Sequence, residues 1–214
     1  MKGLEMTMTT DTETEITTKV IEIDWSLLNT LASVSASAST DKMRYLLVGV
    51  HLFSDGADLV VEATDSFTLA RARVEFTTPE IDVLVEAKWL TDALKATKPR
   101  SLKGRTMTLP VTLSVTGSTV TFSASDVTMT TTALDGKFPI VDHLIPTPDK
   151  YTTELAAFNP TFLARMAKML TTGSTDAWEC VTMSSTMPAL WNCRRYVGGS
   201  NVYGQFLIMP VRIK

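Results

Sequence analysis

The chain has 214 residues, 44 % of them apolar, with 20 Lys and Arg against 23 Asp and Glu and a net charge of −3. That is enough chain for one or two domains with a sizeable core, and no run is long and apolar enough to read as a membrane span. Residues 1–16 are mostly Met, Thr and acid without an apolar run, which fits neither a signal peptide nor an anchor and reads as a disordered lead; a cytosolic protein is expected.

The first unit begins with the β-like run Lys19–Ile23. Asp24 can cap a helix starting at Trp25. Ser33, Ser35, Ser37 and Ser39 weaken the tail of that helix, which should fray out near Ala38. Strands are predicted at Tyr45–Phe53, Leu59–Ala63 and Leu69–Phe76, with Asp55-Gly56 as a hairpin signal. A second β-like run, Ile81–Val85, leads into a helix over Lys88–Thr97 that Pro99 stops. Strict alternation follows. Val111, Leu113 and Val115 share one face, Gly117-Ser118 turns the chain, and Val120, Phe122 and Ala124 share the next. Val127–Leu134 is the third strand of this unit. Pro139, Pro146 and Pro148 make residues 139–151 an extended linker. A third β-like run, Leu155–Phe158, precedes a helix capped by Asn159, with Pro160 at its first position, running to Leu170. Strands around Trp178–Met183, Ala189–Arg195 and Gln205–Arg212 follow, with Gly198-Gly199 as a turn.

The three helices share a pattern. Counting from Ile23, Val85 and Phe158, positions +4, +5 and +8 are apolar: Leu27, Leu28 and Leu31; Trp89, Leu90 and Ala93; Phe162, Leu163 and Met166. Those offsets put the side chains on one helix face. The copies lie 62 and 73 residues apart, and a repeated unit that cannot cover its own apolar face must stack on neighbours. The fold class is therefore α+β, built of repeated βαβββ-type units with antiparallel sheets. The expected division is 17–138 for a body of two units, 139–151 for the linker and 152–214 for a single closing unit.

Chemical signatures are missing: no phosphate-binding loop, no dinucleotide fingerprint, no nucleophile elbow and no zinc-protease motif. Asp65, in Ala63-Thr64-Asp65-Ser66, reads as a turn residue. Cys180 and Cys193 read as two buried free thiols. His51 and His143 are isolated, and a zinc site would need more ligands; no metal or cofactor is expected, and the chain reads as a non-enzyme. Charge is uneven: Lys88, Lys95, Lys98, Arg100, Lys103 and Arg105 against Asp92 make residues 88–105 +5 and leave −8 elsewhere. That segment is either a solvated helix end or a phosphate-facing patch on an acidic protein.

Four segments in order resemble the bacterial replicative sliding clamp, the β subunit of DNA polymerase III. Arg44-Tyr45-Leu46-Leu47-Val48-Gly49 through Ala63-Thr64-Asp65-Ser66-Phe67-Thr68-Leu69-Ala70 is similar to a stretch of the family's middle domain. Asp135-Gly136-Lys137-Phe138-Pro139 with Leu144-Ile145-Pro146 resembles that domain's end. Phe158-Asn159-Pro160-Thr161-Phe162-Leu163 and Phe206-Leu207-Ile208-Met209-Pro210-Val211-Arg212-Ile213 resemble the last half-domain. The resemblance covers a middle domain and a closing half-domain, without the first domain or the first half of the last.

The resemblance implies a ring around duplex DNA, helices lining the hole and sheets outside, serving as a processivity factor for a replicative polymerase in a phage-like system of a bacterial host. It implies a partner-peptide groove for polymerase and clamp-loader tails at Leu47, Thr64, Leu69, Pro139, Leu144, Met209, Pro210, Val211 and Arg212. The family's arginine in the Ala-Thr-Asp stretch is Thr68 here, and a basic residue usual before the groove leucine is His143. Lys88, Lys95, Lys98, Arg100, Lys103, Arg105, Arg165 and Lys168 are the DNA-facing candidates, binding duplex without sequence preference. Family rings hold twelve such units, so three units per chain imply a homotetramer, with a trimer as the alternative. A clamp-like recruiter or decoy that carries the groove without encircling DNA is the alternative function.

Overall fold

The computed structural model describes residues 17–54, 56–99, 109–170 and 177–211. Eleven strands and three α-helices are formed among them: β1 (Thr18–Asp24), α1 (Trp25–Ala32), β2 (Gly49–Ser54), β3 (Asp58–Thr64), β4 (Thr68–Glu75), β5 (Ile81–Glu86), α2 (Ala87–Ala96), β6 (Pro110–Thr116), β7 (Thr119–Ala124), β8 (Val127–Thr132), α3 (Pro160–Met166), β9 (Glu179–Thr182), β10 (Ala189–Val197) and β11 (Ser200–Ile208). Asp24 caps α1 by accepting from the Ser26 amide, and Asn159 caps α3 through Thr161.

The first two units interlock. β1 leaves its own unit to pair with β6, giving a four-stranded sheet β1-β6-β7-β8, while β5 crosses the other way onto β2. The second sheet runs β5-β2-β3-β4-β11-β10-β9, because β4 of the first unit pairs with β11 of the third. All pairs of these strands are antiparallel. One large apolar cluster joins the helix-facing residues of both sheets, with Leu27, Leu28, Leu31, Leu90, Phe122 and Phe206 among its fully buried members. A smaller one, Leu69, Leu84, Phe138, Val141, Leu190 and Leu207, lies on the other face of the long sheet.

Several boundaries move, each for a local reason. Residues 45–48 are turns, tied by the Leu47 amide to the Arg44 carbonyl, so β2 begins only at Gly49. The first helix tightens into a 3-10 turn at Ser33–Ser37, where serine hydroxyls bond back to the Thr30 and Ala32 carbonyls. The third helix stops at Met166; Leu170 has φ +55 and gives its amide to Ser33 and its carbonyl to Arg195. The β-like run Leu155–Phe158 is no strand. In the first two units this segment is taken up by the other unit's sheet; among the described residues the third unit has no such partner, and Ala157 makes one bridge to Val211 while Leu155 is 86 % exposed. The last strand lies earlier than expected, because Pro210 has no amide to extend it. Gly198 and Gly199 take φ of +58 and +84 in the two-residue turn between β10 and β11. Cys180 is exposed, since it sits on the edge strand β9, and Cys193 is half-buried; the two are not joined in a disulfide.

Residues 139–151, expected to be an extended linker, contain regular turns. They form two short 3-10 turns, Asp142–Leu144 and Pro148–Lys150, and Phe138 and Val141 are buried on the outer face of the long sheet. No helix among the described residues is long and apolar enough to cross a membrane.

Candidate functional site: a seam outside and a lysine-lined depression inside

The joint between the first and third units is the β4–β11 seam. Strand alternation turns Ala70, Ala72 and Val74 of β4 to the helices and Leu69, Arg71 and Arg73 outward. Across the seam Leu69 is opposite Leu207, Arg71 opposite Gln205 and Arg73 opposite Tyr203. The outer face therefore changes along its length from apolar to polar. At the apolar end the strap 138–145 covers Leu69 and Leu207. At the polar end a cleft of about 900 Å³ opens, lined by Arg71, Arg73, Asp142, Arg194, Tyr203 and Gln205 among others.

An ion-pair network holds the strap. Glu62, 3 % exposed, accepts from Arg71 Nε at 2.7 Å and faces His51 Nδ1 at 3.0 Å. His51 Nε2 lies 2.9 Å from Asp82, and Arg71 reaches Asp142 of the strap at 2.7 Å. The His51 ring also stacks on Phe138, centroids 5.1 Å apart. Burial alone would lower the His51 pKa, but the hydrogen bonds the ring donates to the Glu62 and Asp82 carboxylates outweigh it and hold it above its ordinary value. His51, Glu62 and Arg71 are cross-strand neighbours on β2, β3 and β4. Their types were visible in the sequence, but only the register makes them a row.

The β3–β4 turn below the apolar end is organised by Asp65. One carboxylate oxygen accepts from the Phe67 and Thr68 amides at 2.9 and 2.7 Å and from the Thr68 hydroxyl at 3.0 Å, as a turn residue should. The other pairs with Arg165 of α3, which also lies over the Phe162 ring. Burial would raise the Asp65 pKa; Arg165 and the Thr68 and Phe67 donors more than reverse this and hold the carboxyl below the usual range.

The groove candidates fall into three groups. Thr64 and Leu69 are buried: the Thr64 hydroxyl donates to the Thr68 carbonyl, and Leu69 is in the floor of the apolar cluster. Leu144, Met209 and Val211 keep 37–43 % exposure, and Pro139 is exposed. Met209 is fixed by its amide to the Phe67 carbonyl, Val211 by its amide to Ala157. Leu47 and Pro210 are half-buried, and Arg212 lies outside the described residues. None of these lines the polar cleft.

On the helix side a depression of about 350 Å³ lies between α1, α2 and the chain after α3. It brings Lys95, Lys98 and Lys168 together beside Asn29, Thr91 and Leu170. Lys88 is exposed and pairs with Asp92, which lies 3.7 Å from Lys95. Arg165 does not line this depression; its guanidinium pairs with Asp65. Arg100, Lys103 and Arg105 lie outside the described residues. Among the described residues no group of His, Cys, Asp and Glu could hold a metal.

The profile for the DNA polymerase III beta subunit, central domain, matches residues 22–140. No curated protein sequence matches the chain. Solved structures do. The DNA polymerase III beta subunit of Thermotoga maritima is 19 % identical with a TM-score of 0.69, over 98 % of this chain and 69 % of that one. The DNA polymerase sliding clamp of Pseudomonas aeruginosa is 17 % identical with a TM-score of 0.71, over 91 % and 67 %. That of Bacillus subtilis is 19 % identical with a TM-score of 0.70, over 91 % and 64 %. With more than half of its length matched by the family profile, and with its fold shared with solved clamps, the chain belongs to the DNA polymerase III β-subunit family of sliding clamps, which are non-enzymatic processivity factors.

Proposed function

We propose that this chain is a short sliding clamp that encircles duplex DNA as a homo-oligomeric ring and tethers a replicative polymerase through the apolar end of the β4–β11 seam. The observation that carries the reading is the division of labour between the two faces. Lysines from α2 and from the third unit converge on the helix side, and exposed apolar side chains beside a buried apolar floor lie on the sheet side. A ring needs no catalytic group. It is retained topologically, and its lumen should attract phosphates weakly, because tight contacts slow sliding and make affinity salt-dependent. A polymerase held to the ring meets its primer end at high effective concentration.

In this reading 17–138 is the two-unit body and 152–214 the closing half-domain, Leu144, Met209, Pro210 and Val211 rim the peptide groove, and Lys88, Lys95, Lys98 and Lys168 face DNA. Three units per chain favour four copies per ring, about 94 kDa for a 23.4-kDa chain, against three. The place of action is the cytosol of a bacterial host, in a phage-like replication system. The test is retention: assembled protein loaded on nicked circular duplex should stay bound in moderate salt and slide off once the circle is linearised. Equal loss from both forms would refute encirclement and leave the recruiter reading.

A further inference from the structure

The closed part of the fold follows a simple rule. β4 is the last strand of the first unit and β11 the last strand of the third, and they pair with each other, from Thr68 opposite Ile208 to Val74 opposite Val202. β8 is the last strand of the second unit, and among the described residues its outer edge has no strand beside it. It also lacks the devices that keep edge strands from pairing. β1 carries Lys19 and Glu22. β5 carries Asp82 and Glu86 and is met at Leu84 by the Leu134 amide. β9 carries Glu179, and its register against β10 is broken. β8 reads Val127-Thr128-Met129-Thr130-Thr131-Thr132, with no charge, proline or bulge, in unbroken register with β7. Its core-side residues Val127, Met129 and Thr131 are only half-buried, whereas Val120, Phe122 and Ala124 of β7 are fully buried. The apolar layer reaches the edge, and no described strand continues it.

We propose that β8 is an assembly edge and that its occupant is β8 of a second copy. In every copy β4 and β11 take each other, so the one last strand that another copy can offer is its own β8. The strand suits pairing with itself. Opposed residues of an antiparallel pair share a face of the sheet, which restricts the two-fold axis to pass through a residue, Met129 or Thr130 at the middle. With the axis at Met129, the two Met129 side chains meet on the core side and cover each other. Val127 then faces Thr131, Thr128 faces Thr130 on the solvent side, and no like charges oppose. The two four-stranded sheets become one sheet of eight. Such a joint is head-to-head, so it requires an even number of copies. The choice of four copies over three rests on the ring reading above, whereas the pairing itself rests on the edge alone.

The experiment uses the full chain with Cys180→Ser in all variants. Met129→Cys and Thr130→Cys are oxidised in separate samples and the linked peptides mapped by mass spectrometry. Thr128→Lys/Thr130→Lys, whose side chains lie on the solvent face outside the core, is weighed by light scattering after size exclusion. The expected results are a homotypic disulfide at one of the two positions and a fall in mass from about 94 to about 47 kDa in the folded lysine variant. A lysine variant of full mass, or an oligomer without a homotypic disulfide at either position, overturns the β8 joint; if that protein still stays on circular DNA, the clamp reading survives. A β8-linked oligomer that leaves circular and linear DNA equally fast supports the joint and refutes the ring. A monomer at tens of micromolar overturns both.

Discussion

Breaking the Asp65–Arg165 pair tests how the third unit is fastened to the first. Asp65 is buried, and Arg165 keeps 26 % of its side-chain exposure. Arg165→Ala removes one hydrogen bond between charged partners, about 1.5–3 kcal/mol when dry, and a cation–π contact worth about 0.5–1 kcal/mol at exposed sites. Partial exposure screens the first of these, so a cost of about 2 kcal/mol is expected. Asp65→Asn can keep the oxygen that accepts from Phe67 and Thr68 while losing the charge, for a similar cost. Both changes remove the same interaction, so the double variant should cost less than their sum, with a coupling of about 1–2 kcal/mol. Urea unfolding at neutral pH measures all four corners of the cycle. The pH dependence adds a second reading. A carboxyl held below its ordinary value stabilises the fold fully above about pH 3.9, and this contribution is lost as pH falls through the lowered value. Asp65→Asn should therefore flatten the acid limb. Additivity within about 0.3 kcal/mol, together with an unchanged acid limb, would refute the claim that this pair fastens the units.

Three further outcomes follow from the two faces and the strap. Lys95→Glu/Lys98→Glu/Lys168→Glu should shorten retention on circular DNA and reduce clamp-dependent primer extension, while stability changes by less than about 0.5 kcal/mol per site; normal processivity would show that these residues do not face DNA. Leu144→Glu/Met209→Glu should abolish binding of a polymerase-tail peptide in a fluorescence polarisation titration with assembly intact, and unchanged affinity would remove the groove from this end of the seam. The raised His51 pKa stabilises the fold fully below about pH 6.5, and that contribution is lost as pH rises through the raised value. His51→Phe should accordingly unfold at nearly the same urea concentration on both sides of neutrality, where the parent weakens toward alkaline pH.

Much of the architecture was legible because it is written in short-range patterns. Caps at Asp24 and Asn159, alternation at Val111–Ala124 and the glycine pair at 198–199 mark their elements without reference to the rest of the chain. What stayed hidden depends on register or on partners distant in sequence. Nothing near β1 says that it belongs beside β6, and nothing near Leu155–Phe158 says that no sheet will receive it. Arg165 looks like a free helix cation until Asp65, one hundred residues earlier, is placed against it. Gly204 is similar: only the fold shows that Leu170 lies where a β-carbon would be, at 2.1 Å. Of the residues singled out by the resemblance, Leu144, Met209 and Val211 are presented outward, whereas Leu69 and Thr64 are buried, a difference that depends on strand register and on the strap and that the motifs alone do not carry.

The β4–β11 seam also dictates when folding can finish. β4 ends at Glu75 and its partner begins at Ser200, so at about 5–20 residues per second the ribosome leaves that edge bare for several seconds or more. β1 likewise waits for β6, and contacts this distant in sequence make for slow closure. A nascent chain thus exposes Thr68–Glu75, whose core-side residues are alanines and a valine, to any other strand in reach. Arg71 and Arg73, which in the finished molecule belong to the outer network and cleft, stand on that strand as charged guards against premature pairing. Neutralising both should therefore lower the yield of soluble protein during synthesis, even where the completed fold tolerates the change.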